Sequence, residues 1–154
     1  MIAIIGLAIV GVMVAVLAVK RISPMAWGWY GPVNAPGGVA IGGYDPVAYH
    51  KSGQPTAGNP GFAITWGGAR WLFATAENRS LFEGNQEKYA PQFGGFCGFA
   101  ASKGFTAKTD PTAWRIEQGR LYLFNDHAFR DRWVSELGQG VINRGERAWA
   151  THVR

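Results

Sequence analysis

The sequence predicts an α+β fold, a small domain of β-hairpins packed with short helices and preceded by one transmembrane helix. Three features lead to this prediction: an apolar run at the N-terminus, two strand–turn–strand patterns, and two capped helical patterns. The 154 residues are thereby divided into a transmembrane anchor at 1–21, a juxtamembrane linker at 22–38, a folded domain at 39–137 and a C-terminal tail at 138–154.

The predicted anchor is the uncharged apolar run from Ile2 to Val19. As a helix this run rises about 27 Å, close to the roughly 30 Å hydrocarbon core of a bilayer. A cleaved signal peptide and a buried core helix are the alternatives, and the absence of a basic residue before the run disfavours the first. Trp27, Trp29 and Tyr30 follow the run, where an interfacial aromatic belt or a partner surface would lie.

Charge suggests a location and a class of partner. Lys20 and Arg21 follow the apolar run, which favours a single-pass protein of the bacterial inner membrane with its domain in the cytoplasm, the periplasm being the alternative. The other basic residues are scattered rather than clustered, which argues against nucleic-acid binding. The expected partners are membrane lipid and a membrane protein complex.

The domain is built from two predicted hairpins and two predicted helices. Residues 62–74, FAITWGGARWLFA, and residues 113–125, AWRIEQGRLYLFN, carry apolar strands around central turns. Thr75 and either Asn125 or Asp126 are suited to cap the helices that follow. No internal repeat is visible in the sequence.

Cys97, the only cysteine, lies in the segment YAPQFGGFCGFAASKG at 89–104. Glycine permits close backbone approach, and aromatic rings exclude water. Gly94 and Gly95 place the thiol near the start of a predicted helix, which lowers a thiol pKa, whereas burial raises it. The segment leaves two interpretations open, a packed core residue and a reactive thiol.

The segment GGYDPVAYH at 42–50 and the segment around Cys97 carry a resemblance to the YHS domain family, which extends to Trp133. Members linked to copper and other heavy metals use three cysteines, and thiolates select soft metals. The matching positions here are Ala48, Ala74 and Asn78, so that three-thiolate site is not available. The chain is more similar to the branch with a single cysteine or selenocysteine centre, which implies a chemical use for Cys97.

The candidate site follows from these motifs. Cys97 and His50 are the candidates for a metal or redox role, with copper or another soft metal as the ligand, although a solvated loop residue is the favoured interpretation of His50. No catalytic residue is predicted. The residues expected to shape the pocket are Tyr44, Asp45, Tyr49, Gly94, Gly95, Phe96 and Phe99.

Three functions are compatible with the sequence. The leading hypothesis is a membrane-anchored, non-catalytic YHS-like binding or accessory protein, a subunit or partner of a membrane complex. The alternatives are a copper-type metal or thiol-redox protein that uses Cys97, and a thiol enzyme. The sequence shows no P-loop and no Ser-His-Asp order, so nucleotide binding and hydrolysis have no support.

Overall fold

Three two-stranded antiparallel sheets and seven α-helices form the part of the chain that the computed structural model describes, residues 2–153, with side chains of the first helix described from residue 9. The helices are α1 Ile2–Lys20, α2 Pro46–Lys51, α3 Ala76–Gly84, α4 Gln86–Tyr89, α5 Gly98–Ser102, α6 His127–Ser135 and α7 Val141–His152. The strands are β1 Ser23–Pro24, β2 Asn59–Trp66, β3 Ala69–Phe73, β4 Phe105–Thr106, β5 Asp110–Glu117 and β6 Arg120–Phe124. The structure is therefore α+β, with small sheets and helices.

The predicted transmembrane helix is wrong. Among the residues described, no helix is both long enough and apolar enough to cross a bilayer. The predicted single-pass location in the bacterial inner membrane is overturned by the same finding.

Both predicted hairpins form around the predicted turns. In the first, Trp66 pairs with Ala69 across Gly67 and Gly68, whose φ angles are 60° and 77°. In the second, Gln118 and Gly119 form the turn with φ angles of 51° and 74°. Two consecutive residues with positive φ match the twist of the flanking strands, which favours glycine, and glycine occupies three of these four positions.

The second half of the domain repeats the backbone path of the first. φ is 44°, 66° and 80° over residues 41–43, and 55°, 58° and 81° over residues 93–95. Asp45 then caps α2 with φ −80° and ψ 112°, and Cys97 precedes α5 with φ −59° and ψ 119°. The same left-handed turn thus leads into the same kind of short helix twice.

The repeat continues beyond the short helices. Each half next forms an antiparallel hairpin with a register shift in its first strand, β2–β3 in the first half and β5–β6 in the second. A capped nine-residue helix follows each hairpin. Thr75 Oγ1 accepts a hydrogen bond from Asn78 N at 3.1 Å, and Asp126 Oδ1 accepts one from Phe129 N at 2.9 Å. Asn78 and Phe129 therefore occupy equivalent positions.

The domain contains two hydrophobic cores, and Leu121 and Leu123 of β6 belong to the first of them. Trp71, Phe73 and Phe82 lie in the first core, while Tyr122 and Trp133 lie in the second with Cys97. Helix α7, which occupies most of the predicted tail, packs against α5 and the short turn at Met25–Trp27. The space between the halves is closed on one side by this helix.

Candidate functional site

Asp45 is a fully buried carboxylate that joins three elements of the first half. Its Oδ1 accepts hydrogen bonds from Val47 N at 2.8 Å and Ala48 N at 3.3 Å. Its Oδ2 accepts from Ala74 N at 2.8 Å and from Asn78 Nδ2 at 2.6 Å. Because these donors belong to α2, to the residue after β3 and to α3, Asp45 has a structural role.

Cys97 occupies the position of Asp45 in the second half. Its backbone N–H donates to Ala107 O at 3.0 Å, as that of Asp45 donates to Thr56 O at 2.8 Å. The Cys97 side chain is 2 % exposed, and its thiol makes no capping hydrogen bond to α5. The polar anchor of the first half is thus replaced by a sulfur atom.

Two opposing effects act on the Cys97 thiol. Burial is the larger one and raises the thiol pKa above its ordinary value, because a thiolate is poorly solvated there. The backbone amides of Ala100, Asn125 and Phe99 face the sulfur and lower the pKa. The net result is a raised pKa, so Cys97 is mainly a neutral thiol at neutral pH.

His50 and Cys97 lie in different halves. The His50 ring packs edge-on against Tyr89 of the first core, with ring centroids 5.4 Å apart, whereas Cys97 belongs to the second core. No group of three or more His, Cys, Asp or Glu side chains that could hold a metal ion occurs within residues 2–153. The predicted metal-binding role is therefore wrong.

Acid is expected to destabilise the fold through His50. Burial, and secondly Lys88, lower the pKa of this imidazole, so the unfolded chain binds the proton first. The free energy of unfolding must then fall as the pH drops below about 6.5. Urea unfolding at about pH 7.5 and about pH 5.5 should show a smaller loss in His50→Gln than in the wild type. The other two histidines are present in both proteins, so equal losses would contradict this role.

A cleft of about 1000 Å³ lies between the two halves. The tips of both hairpins, α4 and α7 form its walls, and the segment from Pro91 to Gly94 contributes a further part of the lining. Its large apolar side chains are Trp66, Trp71, Phe93 and Trp149, and its charged side chains are Glu87, Lys88, Arg120 and Glu146.

The tryptophans of the cleft are held in place by the cores behind them. Trp66 packs on Trp71 with centroids 5.7 Å apart, and Trp71 Nε1 donates to Trp66 O at 2.9 Å. On the other side, the Trp149 ring lies 6.2 Å from Phe93 and 4.8 Å from His152. Rigid indoles offer contact area at a low cost in conformational entropy.

Close packing of α7 positions Trp149. A Cβ atom at Gly145 would lie 2.7 Å from the Phe93 ring, so only glycine lets this helix approach so closely. Arg120 Nη1 lies 2.7 Å from Glu146 Oε1, which joins the second hairpin to α7. The cleft therefore has at least one wall built from residues of both the hairpin and the helix.

Most of the residues predicted to shape a pocket lie instead in or beside the buried interior of the domain. Tyr49 and Phe96 are buried, and Tyr49 Oη donates to Pro111 O at 2.8 Å. Tyr44 packs beside the first core, Gly94 lines the cleft, and Gly95 approaches the side chain of Ile41.

The predicted partner-surface residues lie outside the cleft lining. Trp27 and Trp29 are 58 % and 65 % exposed, with ring centroids 4.6 Å apart. Tyr30 lies under the Arg21 guanidinium, whose Cζ is 4.4 Å from the ring centroid. The sequence reasoning missed Trp149, although apolar residues at helical spacing over 141–149 were a usable signal.

The chain was compared with protein-family models, curated proteins and solved structures, and none of them matches it. The resemblance to the YHS family stays a prediction that rests on the quoted motifs. Function is therefore argued from the geometry of the cleft and of the Cys97 environment.

Proposed function

We propose that the protein is a non-catalytic binding module that takes an extended peptide segment of a partner protein into the cleft between its halves. The cleft carries this proposal, because about 1000 Å³ is at the upper end of the volumes typical of ligand-binding pockets. Tryptophans of the first hairpin and of α7 line it. Such residues supply most of the energy at protein interfaces.

The charges of the lining support a peptide over a polyanion. Glu87 and Lys88 of α4 are of opposite sign, and so are Arg120 and Glu146. A lining of mixed charge repels neither sign and suits a chain that alternates apolar and charged side chains. It does not suit the phosphate backbone of a nucleic acid, which requires clustered positive charge.

The accessory role expected from the sequence fits this proposal, since a module that binds a segment of a partner acts within a complex. Thiol-redox chemistry at Cys97 stays a prediction. Three backbone amides face the sulfur and favour a thiolate, but burial has the larger effect and opposes it. The geometry therefore supports the binding role better.

Peptides selected from a displayed random library should bind this cleft. Binding is measured by tryptophan fluorescence, and Trp149→Ala should weaken it by about 30-fold, the loss typical of an interface hot spot. Trp27→Ala is the matched control, since Trp27 is exposed and lies outside the cleft lining. Urea unfolding of both variants checks that each is folded.

Two results would contradict the proposal. One is a library that yields no binding peptide. The other is a set of peptides that lose affinity equally in Trp149→Ala and Trp27→Ala, which would place their binding outside the cleft.

A further inference from the structure

We propose that the cavity beside Cys97 is a second binding site, for a small apolar molecule built on one aromatic ring. The cavity has a volume of about 210 Å³ and lies within the second half and the adjoining residue Ile22. It is separate from the cleft, and the proposal does not depend on the peptide-binding function.

Comparison of the two halves explains why this space exists. In the first half, the equivalent position is filled by the Asp45 carboxylate and the Asn78 amide, which are hydrogen-bonded at 2.6 Å. In the second half, Cys97 supplies a single sulfur atom. Phe129, the counterpart of Asn78, stacks on Phe99 with ring centroids 5.3 Å apart. The lost polar pair leaves a cavity lined by both phenyl rings and the thiol.

The polar side chains that line the cavity have partners of their own. Lys103 Nζ lies 3.1 Å from Glu136 Oε2. Asn125 Nδ2 donates to Lys108 O at 3.1 Å, and Thr106 Oγ1 donates to Arg21 O at 3.0 Å. The surface left facing the cavity is therefore apolar apart from the sulfur, so it favours an apolar ligand over one with hydrogen-bonding groups.

Volume sets the size of the ligand. An apolar cavity of about 150 Å³ stays dry and holds one benzene ring, so a cavity of about 210 Å³ has room for a ring with a short alkyl substituent. Sulfur also makes favourable contacts with aromatic rings. Phe105, which is 40 % exposed, lies at the edge of the cavity and marks a route from solvent.

Ethylbenzene is the probe for this site. Binding should protect Cys97 from iodoacetamide, because the occupied cavity excludes the reagent. At ten times the dissociation constant of the probe, about one cavity in eleven is empty, so the alkylation rate should fall about tenfold. The thermal unfolding midpoint should rise with probe concentration as well.

Two alanine variants test whether the cavity is the site. Ala100 lines the cavity, so Ala100→Leu should fill it and abolish both protection and the midpoint shift. Ala150 lines the cleft instead, so Ala150→Leu should keep both effects. The proposal is overturned if saturating ethylbenzene leaves the wild-type alkylation rate and midpoint unchanged. It is also overturned if Ala100→Leu, folded, binds the probe as the wild type does. If Ala100→Leu does not fold, the alkylation rate and the unfolding midpoint of the wild type alone test the proposal.

Discussion

Replacing Asp45 with alanine is expected to lower the free energy of unfolding by about 4 kcal/mol or more. Four hydrogen-bond donors would lose their acceptor in a site that has no exposure to solvent. Each buried donor left unsatisfied costs about 1–3 kcal/mol. Since natural domains are stable by only about 5–15 kcal/mol, this single change removes much of the stability of the fold.

Urea unfolding of Asp45→Ala measures this loss, and Asp126→Ala is the matched control. Asp126 also precedes a helix, but its side chain accepts one hydrogen bond, from Phe129 N, so its loss should cost about 1 kcal/mol. A loss at Asp45 no larger than that at Asp126 would show that the buried carboxylate is not the anchor of the first half.

Gly94→Ala is the second change with a large expected effect. Gly94 has φ of 58°, and a Cβ atom there would overlap the carbonyl oxygen of Pro32. Left-handed backbone costs an alanine about 1–2 kcal/mol, and overpacking adds about 1–3 kcal/mol. We expect a loss of about 3 kcal/mol in unfolding free energy. Peptide affinity should also fall, because Pro32 and Gly94 both line the cleft.

Gly119→Ala separates the left-handed backbone strain from the overlap with Pro32 as causes of the lost stability. Gly119 has φ of 74°, and an added Cβ would meet no atom within 4 Å, so this control carries only the left-handed strain of about 1–2 kcal/mol. Chemical denaturation of both variants gives the comparison. Equal losses at Gly94 and Gly119 would rule out the overlap with Pro32 as a source of destabilisation.

The hairpin turns and helix caps are predicted correctly because they depend on short-range conformational preferences. The hairpin turns follow from Gly67-Gly68 and Gln118-Gly119, which take the positive φ that such turns require. Thr75 and Asp126 cap the helices as expected from short side-chain acceptors. Each of these features depends on residues within a few positions of one another.

The internal repeat could not be read from the sequence, because equivalent positions differ in chemistry. A carboxylate at Asp45 corresponds to a thiol at Cys97, and the amide of Asn78 corresponds to the ring of Phe129. Only the backbone angles and the order of elements reveal the relation. The cavity beside Cys97 is a product of that divergence, and motif reading gave no indication of it.

Long-range contacts account for the remaining differences. His50 and Cys97 were paired in the metal hypothesis, and no rule of spacing could place them in separate cores. Trp149 fell in a predicted tail, yet α7 returns it to the cleft beside Phe93. The distribution of the aromatic residues between the cores and the cleft likewise depends on the tertiary fold.

The indole N–H resonances of the protein's seven tryptophans offer the most direct measurement of the claim that the two halves form a shared binding site. During titration with a selected peptide, Trp66 and Trp149 of the cleft should shift and saturate together. Trp27 and Trp29, exposed elsewhere, should keep their positions. Saturating shifts at Trp27 and Trp29, with Trp66 and Trp149 unchanged, would contradict the claim.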